Sequence, residues 1–502
     1  MSICMNWIEK KSFYIFILIN MILWVAVESL RNIISRDSME AIVWGNLVSF
    51  GTNKHPPLSG WLAGGAFHLF REHNIAIYLL GAVCISVSLI YTYKLAKFFL
   101  DEKKAICSSL ILTTGFYYTF QLFYDNFNCN IISMPLWSMM TYYFYKSVNS
   151  NKLKDWLLVG LLAGLSFMAK YQVVLLFFAM FLYLLICERK CFKQKNMYLA
   201  LFIAFLTVLP HLLWMQNNDW FSMEYLAERT KPIVYNSLIL NILHRVIVSL
   251  KFFADQLLAL LPCFVLYAIL AIKEKSFSFN PHSEDNKNQI FLLLIGLLPL
   301  LMIGSSGLIT SNRVVGAWGV TMTGNIGILL FYFFPIKISD DSYKLFAKFI
   351  VAIMLIWQLA MAVFACLQTK IDMGYPYKEV INDFNSIWAN YNDNQTLKYV
   401  AGDINYIFQF ELYNPNKTKV LLDTYGHKNV WVAPQEVVKS GVLVVAKNED
   451  ALQQNVDNLS AIFPIKKEAF VKGEYTYKII NKIKKSKEDT LYYLIIKPQN
   501  NE

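Results

Sequence analysis

Apolar runs of about 18 residues or more recur through the first three quarters of the chain, separated by short polar breaks. A run of that length is what a helix needs to cross a bilayer, so the repetition points to a polytopic membrane protein. Composition agrees. Of 502 residues, 56% are hydrophobic and 16% are charged, whereas soluble domains carry about a quarter charged residues. Aromatic residues reach 16%, as expected where rings fill helix bundles and settle at membrane–water interfaces.

About eleven spans are expected. They fall at 12–30, 75–99, 104–122, 129–147, 155–169, 171–188, 197–215, 246–272, 289–309, 314–335 and 345–368. The first is read as an uncleaved helix, because no small-residue cleavage site follows it and further spans do. Positive charge marks alternate loops: Lys10 and Lys11, Lys97 with Lys103 and Lys104, Lys146 with Lys152 and Lys154, then Arg189 to Lys195, Lys273 with Lys275, and Lys337 with Lys344. The positive-inside rule then puts the N-terminus in the cytoplasm. An odd span count puts the tail on the outer face, with the long loop 31–74 and the loop 216–244.

The formal net charge is +11. From residue 370 onward there are 17 Lys, no Arg and 16 acidic residues, so the excess lies in the membrane part. That distribution speaks for topology and anionic lipid, not nucleic acid. The eight Cys form no CxxC pair, and most lie in apolar runs, where a thiol behaves as a small hydrophobe. The organisation expected is a membrane domain over 1–369 and a soluble α/β domain over 370–502. In the tail, β-like runs at 398–401, 419–422, 442–446, 477–480 and 492–496 alternate with helical stretches at 377–391 and 450–459. The loop 31–74 carries two amphipathic patterns, 39–50 and 58–70, split by Pro56 and Pro57, and they read as interfacial helices.

Polar residues gather at the expected outer face. Arg36, Asp37 and Glu40 follow the first span directly. On a helix starting at Ser38, Asp37 would sit near the N-cap and Glu40 in the first turn. There they serve capping equally well as a general base with a partner to tune it. Lys54 and His55 precede the prolines, where a compact cation suits a phosphate or a lipid headgroup. Asp125 and Asn128 lie where the third span meets the fourth. Lys170 and Tyr171 form the break between the fifth and sixth, His211 closes the seventh, and Arg313 and Trp318 flank the tenth. There is no Gly-rich phosphate loop, HExxH or GxSxG, so nucleotide hydrolysis, zinc proteolysis and serine hydrolysis have no support.

The order of these motifs resembles the GT-C membrane glycosyltransferases. It runs from the acidic pair through His55, Pro56, Pro57 and Leu58 with Trp61, then Phe127 to Asn130 with Pro135 and Trp137. Ala169 to Tyr171, Pro210 to Trp214, and Trp318 with Gly319 complete it. The branch it is similar to contains the lipid A aminoarabinose transferase and the dolichyl-phosphate-mannose protein mannosyltransferase-like enzymes. The resemblance implies transfer of a hexose or pentose from a polyprenyl-phosphate carrier to an envelope glycan, lipid or protein, at the outer face of a bacterial inner membrane. It implies Asp37 as the base that deprotonates the acceptor, and Lys54 with nearby cations as holders of the lipid phosphate. Many members carry an Asp at the start of the fourth span, where this chain has Asn128 and Asn130 and where Asp125 lies slightly earlier. No cofactor is called for, and a divalent metal stays open. A transporter of lipid-linked glycan and a non-catalytic lipid-binding relative are the competing expectations.

Overall fold

A computed structural model describes residues 2–275, 286–311, 313–367, 374–422, 431–463, 470–480 and 487–499. The chain divides into two compact units. Met1–Ala26, Lys54–Leu58 and Tyr78–Met361 make the first; Val27–Asn53, Ser59–Ile77 and Ala362–Glu502 make the second. The residues expected as a separate tail thus share a unit with most of the loop 31–74.

The helices run in chain order as α1 (Ser2–Glu28), α2 (Arg36–Asn46), α3 (Leu58–Leu69), α4 (Ile75–Ala96), α5 (Glu102–Leu110), α6 (Phe120–Asp125) and α7 (Cys129–Ser150). They continue as α8 (Leu153–Ala169), α9 (Val174–Cys187), α10 (Lys195–Asn217), α11 (Phe221–Arg229), α12 (Leu238–Lys273), α13 (Asn286–Gly296), α14 (Leu298–Thr310), α15 (Ile326–Phe333) and α16 (Asp340–Leu367). Each of the eleven stretches expected as spans contains helix, with breaks in 104–122 and 314–335. Among the described residues, five helices can cross a membrane by length and composition: α4, α10, α12, α16 and the Glu9–Glu28 part of α1. The pair α13 and α14, bent by 45°, makes a sixth. The remaining stretches are shorter, more polar or broken by tighter 3-10 turns, at Ile111–Thr114, Phe116–Tyr118, Tyr171–Val173 and Gly316–Asn325.

In the first unit, small residues let helices approach backbone to backbone. A Cβ on Gly160 of α8 would lie 2.2 Å from the Ala200 carbonyl of α10, so this contact requires glycine. Polar caps set the corners. Asp101 accepts from the Lys104 N–H at the start of α5, at 3.0 Å. Asn128 Oδ1 accepts from the N–H groups of Asn130 and Ile131 at 2.9 and 3.1 Å, which starts α7.

The second unit carries the sheet. Its strands are β1 (Tyr399–Gly402), β2 (Lys419–Val420), β3 (Val442–Ala446), β4 (Phe470–Ile479) and β5 (Lys487–Ile496), in the order β2-β1-β3-β5-β4. The pairs β1–β2 and β1–β3 are parallel, and β3–β5 and β4–β5 antiparallel. Central β3 is buried along its whole length, which its unbroken Val-Leu-Val-Val-Ala run explains. Four helices accompany the sheet: α17 (Tyr377–Tyr391), α18 (Ile404–Tyr413), α19 (Pro434–Ser440) and α20 (Glu449–Ile462). Val444, Leu452, Val456, Leu459 and Leu494 form the centre of its core.

Within this unit α2 packs on α18. Asn46 Nδ2 donates to Glu411 Oε1 at 3.1 Å, and Glu411 Oε2 accepts from the Val420 N–H at 2.8 Å. Burial raises the pKa of Glu411 above the ordinary carboxylate value, and these two donors work against that rise. On its other side α2 meets α3 at glycine: a Cβ on Gly45 would come 2.3 Å from the Gly60 carbonyl.

Candidate active site

Three cations surround one neutral imidazole in the first unit. Lys54 and His55 come from the short segment before α3, Lys170 from the break after α8, and Arg229 from the last turn of α11. Tyr225, one helical turn before Arg229, supplies a shared ring. Lys54 Nζ and the Arg229 guanidinium each lie 5.9 Å from its centroid, and the His55 ring meets it edge-on at 5.8 Å. Burial, then the charges of Lys170, Lys54 and Arg229, push the His55 pKa down to about 3. His55 is therefore neutral near pH 7, and the positive charge around it belongs to the Lys and Arg side chains.

The cluster extends into the first turn of α7. Lys170 Nζ donates to Asn130 Oδ1 at 2.5 Å. Burial lowers the Lys170 pKa, with the Cys129 thiol and Asp125 opposing that shift. Asp125 Oδ2 accepts from Gln121 Nε2 at 2.6 Å and from Asn128 Nδ2 at 2.8 Å, so this buried carboxylate is held between α6 and the cap of α7. A small pocket opens beside Lys170, lined also by Ser133, Trp137, Ser166, Gln172 and Thr321.

The next residues form its frame. The Tyr171 hydroxyl pairs with His211 Nε2 at 2.8 Å, and His211 is fully buried in α10, stacked on Trp214. Gln172 Nε2 donates to the Trp318 carbonyl at 2.8 Å. The expected residues Lys54, His55, Asp125, Asn128, Lys170, Tyr171, His211 and Trp318 thus fall in one unit, Lys54 and His55 meeting at Tyr225 and the others through Asn130, Asn128 and Gln172. Arg313 is exposed and makes no ion pair among the described residues, so it stays outside the group. Tyr225, Arg229 and Gln172 were not singled out from the sequence. Tyr225 and Arg229 stand four residues apart on a short helix, and that spacing was the available signal.

Arg36, Asp37 and Glu40 belong to the second unit. The helix begins at Arg36 and its cap is Ser35, whose Oγ accepts from the Ser38 N–H at 3.2 Å. The expected start at Ser38 is corrected by two residues, because Ser35 and not Asp37 supplies the capping oxygen. Asp37 therefore sits inside the first turn. It pairs with Arg36 at 3.2 Å and keeps 41% of its side chain exposed. Glu40, one turn further on, is buried. Among the described residues, no three His, Cys, Asp or Glu side chains are grouped to hold a metal ion.

Comparison with known proteins adds the following. Residues 54–214 match the dolichyl-phosphate-mannose-protein mannosyltransferase family. A stretch of 155 residues is 24% identical to undecaprenyl phosphate-alpha-4-amino-4-deoxy-L-arabinose arabinosyl transferase of Pseudomonas savastanoi pv. phaseolicola. That match spans 30% of this chain and 28% of the relative. The crystal structure of ArnT from Cupriavidus metallidurans bound to undecaprenyl phosphate superposes with a TM-score of 0.60 at 11% identity, covering 95% of this chain and 97% of the other. The same enzyme in the apo state gives 0.54 at 10% identity, with the same coverage of both chains. The chain has the GT-C glycosyltransferase fold, with a small sheet-containing part near its C-terminus.

Proposed function

We propose that this GT-C chain moves a sugar from a polyprenyl-phosphate donor to a cell-envelope acceptor, with inversion at the anomeric carbon. One observation carries the reading: Lys54, Arg229 and a neutral His55 gather on the Tyr225 ring, and the charge of Lys170 also acts on His55. Anionic leaving groups need such a cluster of fixed cations, and partial burial makes each charge more effective than in water.

The chemistry divides between two sets of residues. Asp37 accepts the proton of the acceptor hydroxyl as its oxygen attacks the anomeric carbon. The bond from that carbon to the phosphate oxygen breaks, and the electron pair leaves with the lipid phosphate. Lys54, Lys170 and Arg229 stabilise the charge that develops there. His55 acts as a neutral hydrogen-bonding group, since a fourth cation is disfavoured beside the other three. Arg36, paired with Asp37, orients the carboxylate. Asp125, Asn128 and Asn130 position Lys170, and Tyr171, His211 and Trp318 brace the break that carries it. The basic loops support a cytoplasmic N-terminus and an outer location for the second unit, in a bacterial inner membrane.

The test follows label from a polyprenyl-phosphate sugar pool into envelope glycan, in wild type, Asp37→Asn and Lys170→Gln at matched expression. Loss in both variants supports the two assignments. Intact transfer in Asp37→Asn removes Asp37 as base. Absence of transfer in wild type overturns the transferase reading and shifts weight to transport of a lipid-linked glycan.

A further inference from the structure

The second unit holds a groove of its own, about 500 Å³ in volume, which is the size of a small-ligand site. Arg71, Glu72, Tyr377, Lys378, Asn382 and Tyr413 line it. We propose that this groove binds an anionic saccharide.

Its chemistry is mixed in the way sugars require. The rings of Tyr377 and Tyr413 lie face against face, 4.3 Å apart and tilted by 37°, so this pair offers an aromatic surface to the apolar face of a sugar ring. The Tyr413 hydroxyl donates to Asn74 Oδ1 at 2.7 Å, which fixes that ring. Asn382 offers an exposed amide to sugar hydroxyls. Arg71 and Lys378 are exposed and form no ion pair among the described residues, so the groove's lining carries two cations against the single carboxylate of Glu72. Glu72 is drawn to His68, 3.7 Å away, and is available to accept from a hydroxyl.

The backbone adds a second observation. Arg71 and Glu72 both adopt left-handed conformations, with φ of 55° and 62°. Glycine or asparagine would hold this turn with less strain, yet the two side chains placed there both line the groove. The proposal goes beyond the transferase reading and does not depend on it. Only identifying the saccharide as an acceptor would rest on that reading.

The test measures binding to the full chain in detergent with three probes: deacylated lipopolysaccharide oligosaccharide, neutral maltotetraose and inorganic phosphate. The oligosaccharide is expected to bind best, and to weaken roughly tenfold in R71Q/K378Q and in Tyr377→Leu. Both variants change exposed or half-buried side chains, and an unchanged elution profile and melting temperature verify folding. Oligosaccharide binding that survives both variants overturns the proposal, as does maltotetraose of equal affinity. Phosphate binding as tightly as the oligosaccharide reduces the groove to a simple anion site and also overturns it. Because binding is measured without transfer, failure here is distinguishable from failure of the transferase reading.

Discussion

Lys170 Nζ donates to Asn130 Oδ1 across 2.5 Å, tying the break after α8 to the first turn of α7. A half-buried cation held by an amide oxygen keeps its position without being neutralised by a carboxylate. Lys170→Gln is expected to lower transfer by about 100-fold, the scale of losing one charge-stabilising donor. Asn130→Ala should cost about tenfold, since the cation remains but loses its holder. A radiolabel transfer assay at matched expression checks both, and equal losses would mean the bond does not position the lysine.

His55 gives a pH signature. Its folded pKa, about 3, lies below the ordinary 6.5, so the unfolded chain binds the proton more readily between those values. The stability that neutral His55 contributes is full above pH 6.5 and is lost as pH falls towards 3. His55→Gln removes that dependence. The melting temperatures of wild type and variant, taken from pH 7.5 to 4, should converge as the pH drops; a constant gap would refute the assignment.

Asp37 is half-exposed and pairs with the neighbouring Arg36. Asp37→Asn should therefore leave stability within about 0.5 kcal/mol of wild type while abolishing transfer. Thermal unfolding beside the transfer assay separates the two effects. A large drop in stability would make the residue structural.

Gly45→Ala tests the packing that carries the acidic pair. The added methyl would lie 2.3 Å from the Gly60 carbonyl and 2.7 Å from Gly64 Cα, which are backbone atoms that cannot swing aside. A loss of about 1–3 kcal/mol in unfolding free energy is expected, together with reduced transfer as α2 moves off α3. Retained stability would show that the helices separate at little cost.

The bundle was legible in the sequence because apolar run length reports directly on bilayer thickness. The breaks inside it were not. Thr113, Thr114 and Thr119 hydrogen-bond back to the carbonyls of Leu110, Ile111 and Gly115, at the 3-10 turns after α5, while the surrounding residues stay as apolar as in a straight helix. In the second unit, the strands at 399–402 and 442–446 and the helix at 377–391 matched their patterns. Helix α18 was missed, because the Ile-Asn-Tyr-Ile-Phe-Gln-Phe run alternates much as a strand does. Its deciding residue is Asp403, whose Oδ1 accepts from the Asn405 N–H at 3.0 Å and starts the helix. Among the candidate residues, Lys54, His55 and Lys170 stood out as polar residues near prolines or breaks. Arg229 did not, because its helix lies in a loop with no apolar period to frame it.

The hydrogen bond from Asn46 to Glu411 spans 365 residues of sequence. A ribosome makes Asn46 early and Glu411 only after most of the chain has been threaded into the membrane. Until then α2 waits without the partner that seats its C-terminal end. Completion of the acidic-pair segment is thus a late event in biogenesis, and a nascent chain stalled before residue 411 would carry Asp37 on a helix not yet locked in place.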